Sequence, residues 1–330
     1  MAQRVTTQSH GDRKVYTLHD DSTGASASIL PSYGFNLFDL RLPVAGEVRA
    51  ILDASPDFAD NPRSPGRNGI PVLFPYPNRI KAGAFTFEGR SYTLPINNGP
   101  NAIHGFAIDA PWDVLDQSSE KGEASITGRY QISKNTPAMR DHWPTDAVLQ
   151  IRYSLSGRRL TMNISVTNPT AHELPYGFGV HPYFRCPFTA AGDLAQTQVI
   201  IPASKYWPLQ DFIPTGERLP VESRLDFRKG QPMKGLKLDD VLTGLDFENE
   251  RCVCRLIDLG LKAEFHLGFD RNIREVVVYT PPGAGNVIAI EPYTQTTDAI
   301  NLAARNVDSG LRILPHGKTE SFTMTFETTG

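Results

Sequence analysis

The chain has 330 residues, 40% hydrophobic and 21% charged, a balance that supplies a core and argues against disorder or low complexity. A net charge of -3 and an isoelectric point near 6.2 leave no electrostatic footprint for nucleic acid or an anionic membrane surface. The opening Met1-Ala2-Gln3-Arg4-Val5-Thr6 lacks the apolar centre of a secretion signal, and no apolar run nears the ~20 residues of a membrane span. Three cysteines, Cys186, Cys252 and Cys254, form an odd and sparse set, so reduced thiols in a cytoplasm are expected.

Along the chain the period of the apolar pattern is two. Ala84–Phe87, the turn Glu88-Gly89-Arg90 and residues 91–96 make a small hairpin. Leu149, Ile151, Tyr153 and Leu155 alternate with polar partners up to the turn Ser156-Gly157-Arg158-Arg159, and Leu160, Met162, Ile164 and Val166 alternate after it. That is an antiparallel hairpin with one face in a core. The alternation through 251–257 points both sulfurs of Cys252 and Cys254 to one face. Residues 275–280, 286–291 and 321–327 read as further strands, the last with Phe322, Met324 and Phe326 on one side. The best helical candidate is short, 298–305. Proline and glycine fall evenly, with no linker, repeat or charge block. The pattern predicts an all-β fold, a large antiparallel β-sandwich, as one domain over 1–330.

The chemistry-bearing residues sit in four stretches. Leu174-Pro175-Tyr176-Gly177-Phe178-Gly179-Val180-His181-Pro182-Tyr183-Phe184 places one titratable ring among aromatics, prolines and glycines. Proline fixes φ and pushes the residue before it towards an extended backbone, so Pro182 aims His181. Pro75-Tyr76-Pro77-Asn78-Arg79-Ile80 ends an apolar run on an amide and a guanidinium, and Asn101-Ala102-Ile103-His104-Gly105 sets a histidine in a turn. Ile288-Ala289-Ile290-Glu291-Pro292-Tyr293 ends an apolar strand on a carboxylate, which is costly to bury unless it is paired or used.

Four readings compete for this set. A metal site from His104, His181 and Glu291 lacks the close ligand spacing of HxH or HExxH, so no metal is expected. A glycosidase needs two carboxylates, for which Asp240, Asp246 and Glu291 are available. A non-catalytic sugar-binding module would use Tyr183, Trp207 and Phe74 for stacking and Asn78 and Arg79 for hydroxyls. The fourth pairs Glu291 as base with a histidine as acid, as their unperturbed pKa values suit near neutrality. For Glu291 the bland alternative is a structural salt bridge, for instance to Arg79. Nucleophile motifs of the GxSxG type and glycine-rich phosphate loops are absent.

Pro77-Asn78-Arg79-Ile80 with the following 83–94 hairpin, Asn101-Ala102-Ile103-His104-Gly105 and Trp112 resemble the aldose 1-epimerase (galactose mutarotase) family. Pro175-Tyr176-Gly177-Phe178-Gly179-Val180-His181-Pro182-Tyr183-Phe184 is similar to that family's second histidine motif, and Glu291-Pro292-Tyr293-Thr294 to its C-terminal glutamate segment. The order is the family's, and the resemblance runs from about residue 26 to the C-terminus. It implies a galactose mutarotase-like supersandwich that interconverts the α and β anomers of a free hexose. In that scheme Glu291 takes the anomeric proton and His181 protonates the ring oxygen. His104, Arg79, Asn78 and Tyr183 hold the sugar, together with an aspartate. Asp240 matches that aspartate best, with Asp239 and Asp246 as alternatives. The resemblance implies no cofactor and a sugar as the small-molecule partner; a monomer or homodimer is expected. The chain departs from the family at Pro75-Tyr76-Pro77 and at Phe106, where small residues are usual. A hexose-6-phosphate 1-epimerase is the near alternative, with Arg79, Lys81 and Arg185 as its candidate cations; the neutral hexose is the expected substrate.

Overall fold

A computed structural model describes residues 3–120 and 122–329. The alternating segments pair as their pattern dictates. Val148–Ser156 and Arg159–Thr167 form the expected hairpin and lie at the heart of a nine-stranded antiparallel sheet. Thr319–Thr329 joins that hairpin to Ala263–Asp270 and Arg251–Asp258 in the same sheet. Because side chains alternate across a strand, Leu149, Ile151, Tyr153, Phe322, Met324 and Phe326 are all buried. Cys252 and Cys254 share a face, as their spacing predicts, and all three cysteines are free and buried.

Two further sheets cover the nine-stranded one. An N-terminal five-stranded meander, Gln3–His10 to Glu47–Ala50, packs on the Ala124–Gln131 and Val148–Ser156 strands, and Phe35 beside it stacks on Tyr153 at 5.4 Å. An eight-stranded sheet supplies Phe184 against Phe265 (4.8 Å), and Phe178, just before its Gly179–Val180 strand, packs against Phe322 (5.2 Å). These contacts form the sandwich core, with side chains of facing sheets interdigitating. The only α-helices among the described residues are Ile132–Asn135 and Ala299–Ala304, the second within the span read as helical. No helix among them is long and apolar enough to cross a membrane.

The eight-stranded sheet positions the chemistry. Its central strands are Asp239–Leu245, Glu275–Tyr279 and Val287–Tyr293, followed by Gly179–Val180 and Val72–Leu73, with Tyr183–Arg185 beside Val287–Tyr293. One face carries Leu242, Val276, Val278, Ile288 and Ile290 into the main core. The opposite face would meet water but for the loops that cover it, and it carries the polar residues in cross-strand rows. Asp239 lies opposite Tyr279, which lies opposite Ala289 and then Tyr183. One row along, Val241 faces Val277 and then Glu291; the next runs from Glu275 to Tyr293 and Gly179. Every residue of Val287–Tyr293 is buried, so the strand shows no alternation in exposure and reads as a continuous apolar run.

Candidate active site

Glu291 is 1% exposed on the polar face of this sheet. Its Oε2 accepts the hydroxyl proton of Tyr293, two residues on along the same face. Its Oε1 lies 3.1 Å from Nε2 of His181. Burial pushes the Glu291 carboxyl well above the usual carboxylate range, although the Tyr293 hydrogen bond and Arg79 act against it. No Glu291–Arg79 ion pair exists among the described residues, so the salt bridge that sequence offered as the bland alternative is replaced by contacts to a histidine and a tyrosine.

His181 follows Gly179–Val180, and its backbone N–H donates to Pro71 O at 3.0 Å. Its ring stacks on Tyr183 with centroids 4.5 Å apart, and the Tyr183 hydroxyl lies 3.2 Å from Nε2. The ring is therefore held on three sides, as the prolines around it suggested. Burial, then the neighbouring His104 and Arg67, lower its pKa well below the ordinary value. Glu291 is pushed up and His181 down, which favours the uncharged form of each. A single proton between Oε1 and Nε2 satisfies both preferences.

The glycines flanking this stretch have a specific job. A Cβ on Gly179 would sit 2.3 Å from the Tyr293 ring, and one on Gly177 2.2 Å from the Gln295 side chain. Only glycine leaves room for the tyrosine that grips Glu291. Gly105 does the same for His104. It has φ +72°, and a Cβ there would strike Phe74 O at 2.2 Å.

His104 has φ +70° and accepts the Asn78 N–H on Nδ1 at 3.3 Å, which leaves the proton on Nε2. Its ring meets His181 edge to face at 5.6 Å. Burial of the ring and then Arg79 depress its pKa to about 3, so it is a neutral hydrogen-bond donor. Asn78, in the left-handed region at φ +58°, accepts on Oδ1 from the Arg79 N–H (2.8 Å) and from the Arg79 guanidinium (3.1 Å). Asn78 is therefore the residue that orients Arg79. Asn98 takes the Arg79 Nε–H at 3.0 Å, and Phe212 lies under the guanidinium at 4.7 Å.

Several sequence expectations are corrected. Asp240 is held bidentately by Arg224 at 2.6 and 2.8 Å and is kept from the site by strand alternation. Asp239, offered as an alternative, lies instead on the row of Tyr279 and Tyr183 and close enough to Arg79 and Glu291 to interact electrostatically, with burial raising its pKa. Asp246 is exposed elsewhere. Trp207 and Phe74, suggested for stacking, are fully buried; Trp207 donates to Glu275 at 3.1 Å. Arg185 braces the sheet through Asp53 (3.1 Å) and Leu52 O (2.9 Å). Lys81 does not continue a strand from Arg79, because Lys81–Gly83 is a 3-10 turn. Sequence reasoning missed Tyr293, Tyr279, Asn98 and Arg67. For Tyr293 the signal was present, an i+2 aromatic after a carboxylate on a strand.

A buried carboxylate and imidazole in contact, ringed by neutral and cationic hydrogen-bond donors on one face of a β-supersandwich, form a pair able to take up and release a proton. The aldose 1-epimerase family model matches residues 14–327, and the chain belongs to that family. Among curated proteins it is 27% identical to the galactose mutarotase of Sus scrofa over 208 residues, 62% of this chain and 58% of that protein. It is 28% identical over 172 residues to the uncharacterized Escherichia coli protein YihR, 51% of this chain and 52% of that one. The matched spans thus cover just over half of these relatives. Among solved structures, a galactose mutarotase-like protein from Clostridium acetobutylicum superposes with a TM-score of 0.90 at 23% identity, over 100% of this chain and 99% of that one. A galactose 1-epimerase from Lactobacillus acidophilus gives 0.73 at 18%, over 99% and 98%. These structural likenesses establish the mutarotase-like fold.

Proposed function

We propose that the protein is an aldose 1-epimerase that interconverts the α and β anomers of a hexose with a free anomeric hydroxyl. The observation that carries this is the 3.1 Å contact between Glu291 Oε1 and His181 Nε2. In a cyclic aldose the anomeric hydroxyl and the ring oxygen are bonded to the same carbon, so one adjacent pair of groups can reach both. The proton shared by the pair resides on His181 when the sugar is engaged. Glu291 removes the proton from the hydroxyl on C1 as His181 delivers one to the ring oxygen. The C1–ring oxygen bond breaks and the C1 carbonyl forms. Rotation about C1–C2 presents the other carbonyl face, and reversal of both transfers closes the ring as the other anomer. The pair returns to its starting protonation, no electron is transferred, and the reaction as written uses no cofactor.

The surrounding residues supply position. Neutral His104 and the Arg79 guanidinium, set by Asn78 and Asn98, donate to sugar oxygens, while Asp239 accepts from hydroxyls. Tyr183 holds the His181 ring. A purely sugar-binding protein has no need to bury a carboxylate against a histidine, which costs stability unless the pair is used. The test is polarimetry or proton NMR of freshly dissolved α-D-glucose and α-D-galactose. The reading expects relaxation to the anomeric equilibrium faster than in buffer, in proportion to enzyme; a folded protein that leaves the relaxation of every aldose tried at the buffer rate contradicts it.

A further inference from the structure

Phe212 goes against local preference twice. It sits at the tip of a hairpin, Leu209–Gln210 to Ile213–Pro214, in which Gln210 pairs with Ile213 and Asp211 and Phe212 make the turn. Both turn residues are left-handed, at φ +52° and +64°. A two-residue turn of that hand suits Asn-Gly, because a bulky side chain at positive φ crowds its own backbone. Phe212 is also 52% exposed, more than any other large hydrophobic residue among those described. A phenyl ring at this position costs backbone free energy and gains little from burial. Folding alone gives no reason for it.

The reason lies in what the ring covers. The hairpin is rooted on the polar face of the eight-stranded sheet. It follows the strand Ala203–Trp207, Leu209 packs into the cluster of Trp207, Val241 and Tyr293, and the Thr215 N–H closes on Pro208 O at 2.9 Å. From that root the tip reaches Arg79, whose guanidinium carbon lies 4.7 Å from the centre of the Phe212 ring. Its neighbours Gln210, Asp211 and Ile213 line a cleft of about 930 Å³ that neither Phe212 nor Arg79 lines. The turn is therefore not pressed onto Arg79 by packing from that side, and the contact is made by the ring itself.

Arg79 is held on two edges and one face. Asn98 accepts its Nε–H at 3.0 Å, Asn78 accepts from Nη1 at 3.1 Å, and Phe212 covers the face. Nη2 has no partner among the described residues and is not sealed from solvent, so it is the nitrogen free to donate to a sugar oxygen. A guanidinium donates within its own plane, and the tilt of that plane sets where the Nη2 hydrogens point. The two asparagines fix the edges, and the ring fixes the tilt. The ring also keeps water from one face, which strengthens the hydrogen bonds made at the free edge. Resting on the epimerase reading above, we infer that Phe212 is a positioning residue that acts through Arg79, holding the Nη2 donors on an oxygen of the aldose. Turn stability and sugar binding then pull in opposite directions at this one position.

The experiment measures kcat and KM for mutarotation of D-glucose and D-galactose, Kd for both sugars by NMR titration, and Tm. It is run on the wild type, Phe212→Gly and Phe212→Tyr, and on Arg79→Lys with and without Phe212→Gly. Phe212→Gly should raise KM and Kd about three- to tenfold with a smaller change in kcat. The same variant should melt at or above the wild-type temperature, because glycine suits the turn. Phe212→Tyr keeps the ring face and should bring both constants to within about twofold of wild type. A lysine has no plane to tilt, so in Arg79→Lys the Phe212→Gly change should alter kcat/KM and Kd by less than about twofold. Unchanged KM and Kd in folded Phe212→Gly overturn the inference. A loss as large in Arg79→Lys as in the wild type also overturns it, since the ring would then touch the sugar directly. A wild type that binds these sugars but accelerates neither sinks the epimerase reading instead, and the Kd comparison still decides on Phe212. A wild type that neither binds nor turns over either sugar rejects both.

Discussion

Tyr293 gives its hydroxyl proton to one carboxylate oxygen of Glu291 and so leaves the other facing His181 Nε2 at 3.1 Å. The two residues are neighbours on one strand face, so the carboxylate is oriented by its own strand before any substrate arrives. Gly179, across the ladder, makes room for the tyrosine ring. Removing the hydroxyl in Tyr293→Phe frees the carboxylate to rotate and raises its pKa further, since a hydrogen bond to the ionised form is lost. The expected outcome is a fall in kcat of about tenfold, with the acid limb of the kcat–pH profile moved to higher pH. An unchanged profile would show that the bond only packs the ring.

Asp239 and Asp240 are adjacent in sequence and face opposite sides of their strand. Asp239→Asn should raise KM severalfold by removing an acceptor for sugar hydroxyls, with a smaller change in kcat. Asp240→Asn breaks an exposed pair with Arg224 and should leave both constants alone, at a stability cost of about 0–1 kcal/mol. Steady-state kinetics on the two variants separates these outcomes; a KM effect at Asp240 and none at Asp239 reverses the assignment.

Glu275 is a second buried carboxyl on the polar face, pushed up to about 8 by burial despite hydrogen bonds from Trp207 and Thr243. An acid whose folded-state pKa lies above its unfolded value binds more protons when folded. Its contribution to stability is therefore fully present below about pH 4.5 and is lost as pH rises towards 8. Glu275→Gln keeps an acceptor for Trp207 and cannot ionise. Thermal unfolding should show the variant gaining on the wild type between pH 5 and pH 8, by a few degrees at the upper end. A constant offset across that range would mean that Glu275 does not titrate there.

Much of the fold was legible because antiparallel strands with one solvent-facing side write their period into the sequence. The Val148–Ser156 and Arg159–Thr167 hairpin and the Thr319–Thr329 strand are examples. The helix at Ala299–Ala304 was visible for a similar local reason. The site was legible only in part. The structure brings His104, His181, Glu291, Arg79, Asn78 and Tyr183 together, each from a stretch whose prolines or glycines betray a fixed backbone. Sequence put Asp240 ahead of Asp239, and the structure turns Asp240 away, because a slip of one along a strand moves the side chain to the opposite face and nothing local in Lys237-Leu238-Asp239-Asp240 sets that register. Arg67 was missed because it reaches the site from an irregular turn, held by Asn68 and by the distant Tyr183. Such tertiary placement has no periodic signature.

Every proton in the proposed reaction is moved by Glu291 or His181. Exhaustive treatment with a chelator should therefore leave the mutarotation rate within error of the untreated enzyme. A rate lost on chelation and restored by one divalent ion would require a different mechanism.

The proposed reaction depends on the Glu291–His181 pair, and one measurement tests that pair most directly. Initial mutarotation rates of D-glucose and D-galactose are recorded for wild type, Glu291→Gln and His181→Asn, with the buffer rate subtracted and folding checked by thermal melts. General acid/base groups contribute about 10²–10⁴-fold, so each variant should lose that factor in kcat on the best aldose while still melting cooperatively. Folded Glu291→Gln that turns over its best aldose at the wild-type rate would contradict the account.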